Sequence, residues 1–306
     1  MKAAYIEKFG GPEVLIYGDL PDPVAGPGQV VVDTVAASVN GADPKVCAGE
    51  YKQAIFPVIP GRDFSGVVSA LGAGVTDLKV GDEVFGVLET GRDGTYCEKI
   101  AVGAAIVARK SDGLSHIDAA ALALTGLTAI RAVQDSLKLK AGETILIQGG
   151  AGGVAGFAIQ LAKHIGAYVI STASTGNLEF VRSLGADQVI DYRTTDFTKV
   201  VKDCDAVFDT VGDDVALRSF MVLKPGGRAT FIASGPKAPM PQRTDIIALR
   251  PAVGRDRPAL ELIAELYRSG AVKPPHVTLY ALADARKALE VSAGRHFKGK
   301  LILKVR

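Results

Sequence analysis

The chain has 306 residues, 48% of them hydrophobic and 22% charged, with a formal net charge of +2. That length and balance suit a globular protein with a large core and room for two domains, and so small a charge excludes nucleic acid or an anionic membrane as the expected main partner. Cys47, Cys97 and Cys204 are odd in number and far apart, which argues against a disulfide framework, and no two cysteines or histidines lie close enough in sequence to form a metal-ligand pair.

The opening MKAAYIEKFG carries Glu7 and Lys8 and has no long apolar run, so it does not read as a leader. Strand patterns follow at 29–39, 64–71, 83–87 and 94–102, separated by Gly and Pro, and predict a twisted, barrel-like β domain. After Ser115 two helices are expected, over 116–123 and 127–137. The apolar stretch 119–130 is broken by Thr125, Gly126 and Thr128 and is too short to span a bilayer, so a cytoplasmic location is expected. From Thr144 onward, strands at 144–147, 168–172, 188–191, 206–209 and 228–233 alternate with helices at 154–163, 177–184 and 214–223. That alternation predicts a parallel sheet with helices on both faces. Residues 234–258 are rich in proline and read as a mobile loop near a site. Helices at 258–269 and 282–293 and a strand at 300–305 follow, and this last strand, lacking a βαβ partner, is expected to return to the first domain.

The most informative stretch is TILIQGGAGGVAGFAIQLAK, residues 144–163. A short apolar strand, a glycine cluster and a helical run in that order open a dinucleotide-binding βαβ unit. Gly150, Gly152 and Ala155 fill the G-x-G-x-x-G/A positions. Gly150 is expected to make the turn, Gly152 to let a pyrophosphate approach the backbone, and Ala155 to allow close helix–strand packing. With Gly153 and Val154, the helix start offers free N–H groups and the positive end of the helix dipole to phosphates.

In NAD-binding units an acidic residue about 20 positions past the glycines binds the ribose 2′-hydroxyl. Here the second strand ends in VISTAS (169–174), without Asp or Glu. Ser171, Thr172, Ser174 and Asn177 are read as donors to a 2′-phosphate, with Tyr192 and Arg193 closing the pocket, so NADP(H) is favoured over NAD. The competing reading is that Ser174 and Thr175 cap the next helix.

The sequence resembles the medium-chain dehydrogenase/reductase superfamily, in its zinc-independent quinone oxidoreductase branch. The resemblance rests on MKAAYIEKFGGPEVL, SVNGADPKVCAGEY (38–51), PGRDFSGVVSALG (60–72), VGDEVFG (80–86), GTYCEKIAV (94–102), LTGLTA (124–129), AGGVAGFAIQLAK (151–163), LGADQVIDYR (184–193), FDTVG (208–212) and FKGKLIL (297–303), which span the chain in order. It implies an α/β protein with a GroES-like β-barrel domain, 1–122 and 262–306, and a Rossmann doubly wound parallel sheet domain, 123–261, inserted between. It also implies a homodimer. The zinc-dependent branch carries a Cys after the strand ending near Val39, a Gly-His-Glu near position 62 and a four-cysteine lobe. This chain has Asn40 and Asp43, Gly61-Arg62-Asp63 and a single Cys97 at those places, so no metal is expected.

Without a metal to polarise an alkoxide, alcohol oxidation is hard, whereas conjugate reduction needs mainly the placement of donor and acceptor about 3–3.5 Å apart and hydrogen bonds to the developing oxyanion. The expected activity is NADPH-dependent reduction of a small-molecule quinone or α,β-unsaturated carbonyl. The catalytic candidates are Asn40, Asp43 and Tyr51, with helix capping as the competing reading for Asp43. Arg62 and Asp63 read as a structural polar pair. Thr125, Val211, Ile232, Ala233 and Ser234 are expected at the cofactor, and Lys300 to reach it from the tail. The alternatives are an enoyl-thioester reductase, which would need a wider cleft with basic residues near its mouth such as Arg243, Arg250, Arg255 and Arg257 of the irregular segment, and a non-catalytic NADPH-binding protein. No concentrated Lys/Arg run supports a nucleic-acid site.

Overall fold

In a computed structural model that describes residues 1–51, 55–89, 94–233 and 238–306, the chain divides into two units. The first comprises Met1–Leu124, Arg255–Arg268 and Pro274–Arg306, the second Thr125–Gly254 and Ser269–Lys273.

The first unit opens with a two-stranded antiparallel ribbon, β1 (Lys2–Tyr5) and β2 (Ile16–Asp19). The valine-rich β3 (Gln29–Val39) is its longest strand and is buried along most of its length, because sheet neighbours cover both edges. A short helix, α1 (Asp43–Cys47), leads to β4 (Asp63–Leu71), β5 (Glu83–Val87), β6 (Lys99–Gly103) and β7 (Val107–Arg109). The strand expected at 94–102 starts only at Lys99. At Gly94 a Cβ would lie 2.1 Å from the Pro60 carbonyl oxygen, so a tight backbone approach replaces regular pairing there.

Helix α2 runs from His116 to Ile130 and continues as a wide π turn through Ser136. The two helices expected at 116–123 and 127–137 are thus one. Ser115 starts it, accepting from the Asp118 N–H and donating to the Asp118 carboxylate. Gly126 does not break it, because burial of Ala119–Ala123, Leu127 and Ala129 outweighs the local preference of one glycine. The full 21-residue helix is long and apolar enough to cross a membrane by length and composition, contrary to the shorter stretch read from sequence, and 72% of its apolar window is buried inside the protein.

The second unit is a six-stranded, wholly parallel sheet. Its strands are β8 (Thr144–Ile147), β9 (Tyr168–Ala173), β10 (Gln188–Asp191), β11 (Cys204–Asp209), β12 (Leu223–Phe231) and β13 (Ile247–Leu249), in the order β10-β9-β8-β11-β12-β13. Helices α3 (Gly153–Ile165), α4 (Leu178–Ser183), α5 (Phe197–Val200) and α6 (Asp213–Arg218) connect them. The order reverses between β8 and β11, and in open α/β sheets ligands bind outside the carboxyl ends of the strands at that switch point. Strand β13 lies within the stretch read as a mobile loop: Ile247–Leu249 pairs with β12 as an edge strand, stopped by Arg250-Pro251.

The chain then returns to the first unit with α7 (Arg257–Arg268), β14 (Val277–Ala281), α8 (Ala285–Gly294) and β15 (Lys300–Lys304). Strand β15 pairs with β3, so the tail strand does return to the first domain. Helix α7 belongs there too, which puts the boundary at Gly254–Arg255, earlier than the pattern suggests.

Candidate active site

In the second unit the turn after β8 has the form expected of a phosphate cradle, with one change of roles. Gly149, at φ +75°, takes the left-handed conformation of the turn. Gly150 is needed for space instead: a Cβ there would lie 2.3 Å from the Ser171 hydroxyl and 2.9 Å from Val181. Gly152 is the N-cap of α3 in extended conformation, and a Cβ on it would meet only the Gly149 carbonyl at 3.4 Å. Among the described residues no other atom beyond its chain neighbours lies within 4 Å of that position, as a backbone approached by a ligand requires. Gly153 and Val154 form the first turn of α3, and the buried Ala155 lets the helix pack closely.

Two of the residues read as phosphate donors are tied up within the sheet. Ser171 is fully buried and donates to the Ile147 carbonyl at 2.7 Å. Thr172 is buried too, donating to Gln148 Oε1 (2.7 Å) and accepting from the Gly149 N–H (3.1 Å). Thr172 thereby ties β9 to the glycine turn and Ser171 ties it to the end of β8, so both hydroxyls are already engaged within the protein. Ser174 and Asn177, just past β9, are partly exposed and bonded to each other at 3.0 Å. Tyr192 and Arg193, just past β10, are exposed, and the Arg193 side chain has no partner among the described residues. Asp191 beside them is held by the Thr175 hydroxyl (2.6 Å) and the Arg193 N–H (2.9 Å), which keep its carboxyl below the usual pKa.

Past β11, Thr210 donates to the Gln148 carbonyl and Val211 is 38% exposed beside the glycine turn. Asp209 accepts from the N–H groups of Val211 and Gly212, and burial raises its pKa to about 6. Ile232 and Ala233 follow β12 and are partly exposed, with the Ile232 N–H donating to Asp209 O. Thr125 is buried in α2, and Ser234 lies outside the described residues. Gln148, which joins β8 to Thr172 and to Ser219, was not singled out in the sequence; its place between a strand and the glycines is the only signal it leaves.

In the first unit, β3, β4 and β15 bring a buried polar network together. Lys300 donates to Asn40 Oδ1 (2.7 Å) and to the Val39 carbonyl (2.9 Å). Asn40 Nδ2 donates to Asp63 Oδ1 (3.1 Å) and the Ser38 carbonyl (3.3 Å), and the Ser38 hydroxyl donates to Asp63 Oδ2 (2.7 Å). The Asn40 amide is thereby fixed in orientation with both donors engaged. Asn40 is also its partly exposed member, while Ser38, Asp63 and Lys300 are buried. Burial lowers the Lys300 pKa, against the opposing pull of Asp63 and Asp43, and raises that of Asp63, against the pull of Lys300.

Asp43 lies beneath this loop. It is fully buried, accepts from the Asn40 N–H (2.8 Å) and the Tyr96 hydroxyl (2.8 Å), and burial raises its pKa to about 6. It is the first residue of α1 rather than its N-cap, which is Ala42, and it acts on Asn40 through the backbone. Tyr51 is 53% exposed, and its hydroxyl has no hydrogen-bond partner among the described residues. Asp63 belongs with Ser38 and Asn40 rather than forming a simple pair with Arg62. Lys300, expected at the cofactor, is an internal partner of Asn40.

The residues at the expected zinc positions do not fit that metal. Asn40 replaces a thiolate with an amide engaged elsewhere, Arg62 puts a cation at the histidine position, and the buried Cys97 thiol donates to the Gly94 and Lys99 carbonyls. Among the described residues no group of three or more His, Cys, Asp or Glu is arranged to hold a metal.

The family model described as an alcohol dehydrogenase GroES-like domain matches residues 26–114, and one described as a zinc-binding dehydrogenase matches 184–303. The chain is 36% identical to the 2-methylene-furan-3-one reductase of Solanum lycopersicum over 285 residues, covering 90% of this chain and 71% of that one. It is 33% identical to the chloroplastic NADPH-dependent alkenal/one oxidoreductase of Arabidopsis thaliana, covering 99% and 79%. Among solved structures, the quinone oxidoreductase from Coxiella burnetii superimposes with a TM-score of 0.94 at 33% identity, over 100% of this chain and 99% of that one. With two family domains matched and relatives this similar along most of their length, the chain belongs to the medium-chain dehydrogenase/reductase superfamily.

Proposed function

We propose that this protein is an NADPH-dependent reductase that transfers hydride to a quinone or to the β-carbon of an α,β-unsaturated carbonyl. The observation that carries the reading is the glycine turn at the switch point of the parallel sheet, with Gly152 open on its outer side and no carboxylate at the end of β9. Relatives named as NADPH-dependent alkenal/one oxidoreductase and as quinone oxidoreductase support it.

Gly152, Gly153 and Val154 would hold the pyrophosphate of NADP(H), with the N-terminus of α3 supplying N–H groups and positive potential. Ser174, Asn177, Tyr192 and Arg193 would hold the 2′-phosphate; Arg193, with no ion pair among the described residues, would supply the charge. Val211, Ile232 and Ala233 would flank the nucleotide at the strand ends. The bound cofactor supplies hydride, and the remaining work falls to the chain.

Asn40, the partly exposed residue of the polar network, would be the one to meet the acceptor or the nicotinamide. Lys300, Asp63 and Ser38 lock its amide and Asp43 locks its backbone; with both N–H groups engaged, Asn40 would orient the acceptor as a fixed wall rather than donate to its oxygen. The Lys300 ammonium behind Asn40 biases the site toward negative charge on an acceptor oxygen. The Tyr51 hydroxyl is free to pass a proton to the enolate, as is solvent. A homodimer in the cytoplasm is part of the reading, and sedimentation of the purified protein tests the dimer.

A second reading, an enoyl-thioester reductase, is favoured by no paired phosphate site: Arg243 is bound to Asp245, and Arg257 to Asp77. A steady-state panel of quinones, short 2-alkenals and enoyl thioesters with NADPH and NADH tests all three possibilities. Turnover of a quinone or alkenal with NADPH is expected. Tight NADPH binding with no turnover on any acceptor would show a non-catalytic binding protein.

A further inference from the structure

Among the described residues, two arginines of the first unit have no ion-paired carboxylate. Arg62 immediately precedes β4, and its backbone is fixed on both sides. Its carbonyl accepts from the Leu88 N–H at 2.8 Å, and Gly61 before it is held at φ +98°, against Thr95 and Tyr96. Its side chain is 8% exposed, Nη1 is sealed from solvent, and the guanidinium makes no hydrogen bond or ion pair among the described residues. Arg255, two residues before α7, is partly buried, and its Nε is sealed and unpartnered among the described residues.

The two are close enough that the charge of Arg62 adds to burial in lowering the pKa of Arg255, while Asp63 and Glu89 pull it up. Neither carboxylate pairs with either arginine. Asp63 is engaged by Ser38, Asn40 and the Leu124 N–H, and Glu89 is exposed. A buried arginine beside a partly buried one, each with an N–H unpaired among the described residues, is costly, and an anion bound by both would offset that cost.

We propose that Arg62 and Arg255 form an anion-recognising subsite that binds a carboxylate carried by the acceptor itself. This rests on the reductase reading, since it places the anion beside Asp63, one residue from Arg62 and bonded to Asn40. The small exposure of Arg62 admits a compact group rather than the phosphates of a long thioester arm. The irregular segment's other arginines are occupied: Arg243 by Asp245, Arg250 by the Ala238 carbonyl, and Arg257 by Asp77. Of the four, Arg255 alone has neither an ion pair nor a hydrogen bond among the described residues. A planar guanidinium pair suits a carboxylate through parallel N–H bonds.

The test compares (E)-4-oxopent-2-enoate with its neutral analogue 3-penten-2-one, under NADPH, in wild type, R62M, R62K and R255M. Wild type is expected to prefer the carboxylate by about 10- to 100-fold in kcat/KM. R62M and R255M should lose that preference through KM, with the neutral enone and NADPH affinity within about threefold of wild type and partial recovery in R62K. R62M without acceptor should melt at a higher temperature than wild type, since an unpaired buried charge is gone; a merely structural arginine would give the opposite shift. Binding of the saturated product 4-oxopentanoate, followed calorimetrically with NADP⁺ present, separates the two readings. If neither enone is reduced but 4-oxopentanoate binds wild type and not R62M, the anion subsite stands and the reductase reading falls. Equal turnover of both enones by wild type overturns the subsite and leaves the reductase. A preference for crotonyl-CoA that R62M abolishes would overturn the assignment to a carboxylate.

Discussion

Replacing Gly152 by alanine separates the turn's role in folding from its role in binding. Its φ of −78° and ψ of 158° are open to any residue, and the added methyl would meet only the Gly149 carbonyl, at 3.4 Å. Alanine is a poorer N-cap than glycine, which costs about 0.5–1 kcal/mol, while the loss of glycine's freedom in the unfolded chain returns about 0.4–1 kcal/mol. The expected stability change is therefore close to zero. The methyl would stand on the open side, where a pyrophosphate must touch the backbone. Loss of one close phosphate contact should weaken NADPH by about 10-fold or more, equivalent to about 1.4 kcal/mol. NADPH fluorescence titration beside a thermal melt measures both quantities. A G152A protein that melts like wild type and binds NADPH equally well would refute the cradle. The neighbouring Gly150→Ala is the control: its methyl would overlap the Ser171 hydroxyl and press on Val181, and it should destabilise by about 1–3 kcal/mol.

Arg193→Ala should reduce the preference for NADPH over NADH by about 10-fold, read as the ratio of the two Kd values, because one unpaired guanidinium is lost from the expected 2′-phosphate pocket. Tyr51→Phe should lower kcat on an enone by about 10-fold if the exposed hydroxyl passes the proton, with NADPH affinity retained; unchanged turnover assigns the proton to solvent. The folded pKa of Asp43 is raised from 3.8 to about 6, so the native state holds this proton more tightly than the unfolded chain does. Its ionisation therefore removes stability as pH rises through that window, by about 3 kcal/mol in total. Asp43→Asn lacks this loss, and its stability relative to wild type should climb by that amount between about pH 4 and pH 7 in urea melts.

The alternation of strands and helices after Thr144, the glycine turn and the returning tail strand are legible in the sequence because each follows from local pattern and turn chemistry. The fate of Ser171 and Thr172 is not: residue type offers a hydroxyl, and only the fold brings the Ile147 carbonyl, Gln148 and the Gly149 N–H within reach to engage it. The left-handed turn at Gly149 rather than Gly150 is likewise a matter of backbone geometry that a run of glycines does not order. Asn40 is found from a motif, but what fixes it comes from Asp63 and Lys300, which are 23 and 260 residues away. Arg62 and Asp63 read naturally as a pair of neighbours, yet alternation along the extended backbone turns Asp63 to Ser38 and Asn40 and leaves Arg62 without a hydrogen-bond partner among the described residues. Strand β13 was hidden by the prolines around it, which bound an edge strand rather than exclude one.

The claim at the centre of this account is that hydride passes from NADPH to a conjugated acceptor without a metal. Turnover of 1-octen-3-one with NADPH deuterated at C4 on the transferred face, in buffer containing a chelator, tests it directly, with the product examined by NMR and mass spectrometry. The account predicts 3-octanone carrying one deuterium on the β-carbon, at a rate unaffected by the chelator. Deuterium on the carbinol carbon of an allylic alcohol, or activity abolished by the chelator and restored by zinc, would contradict it.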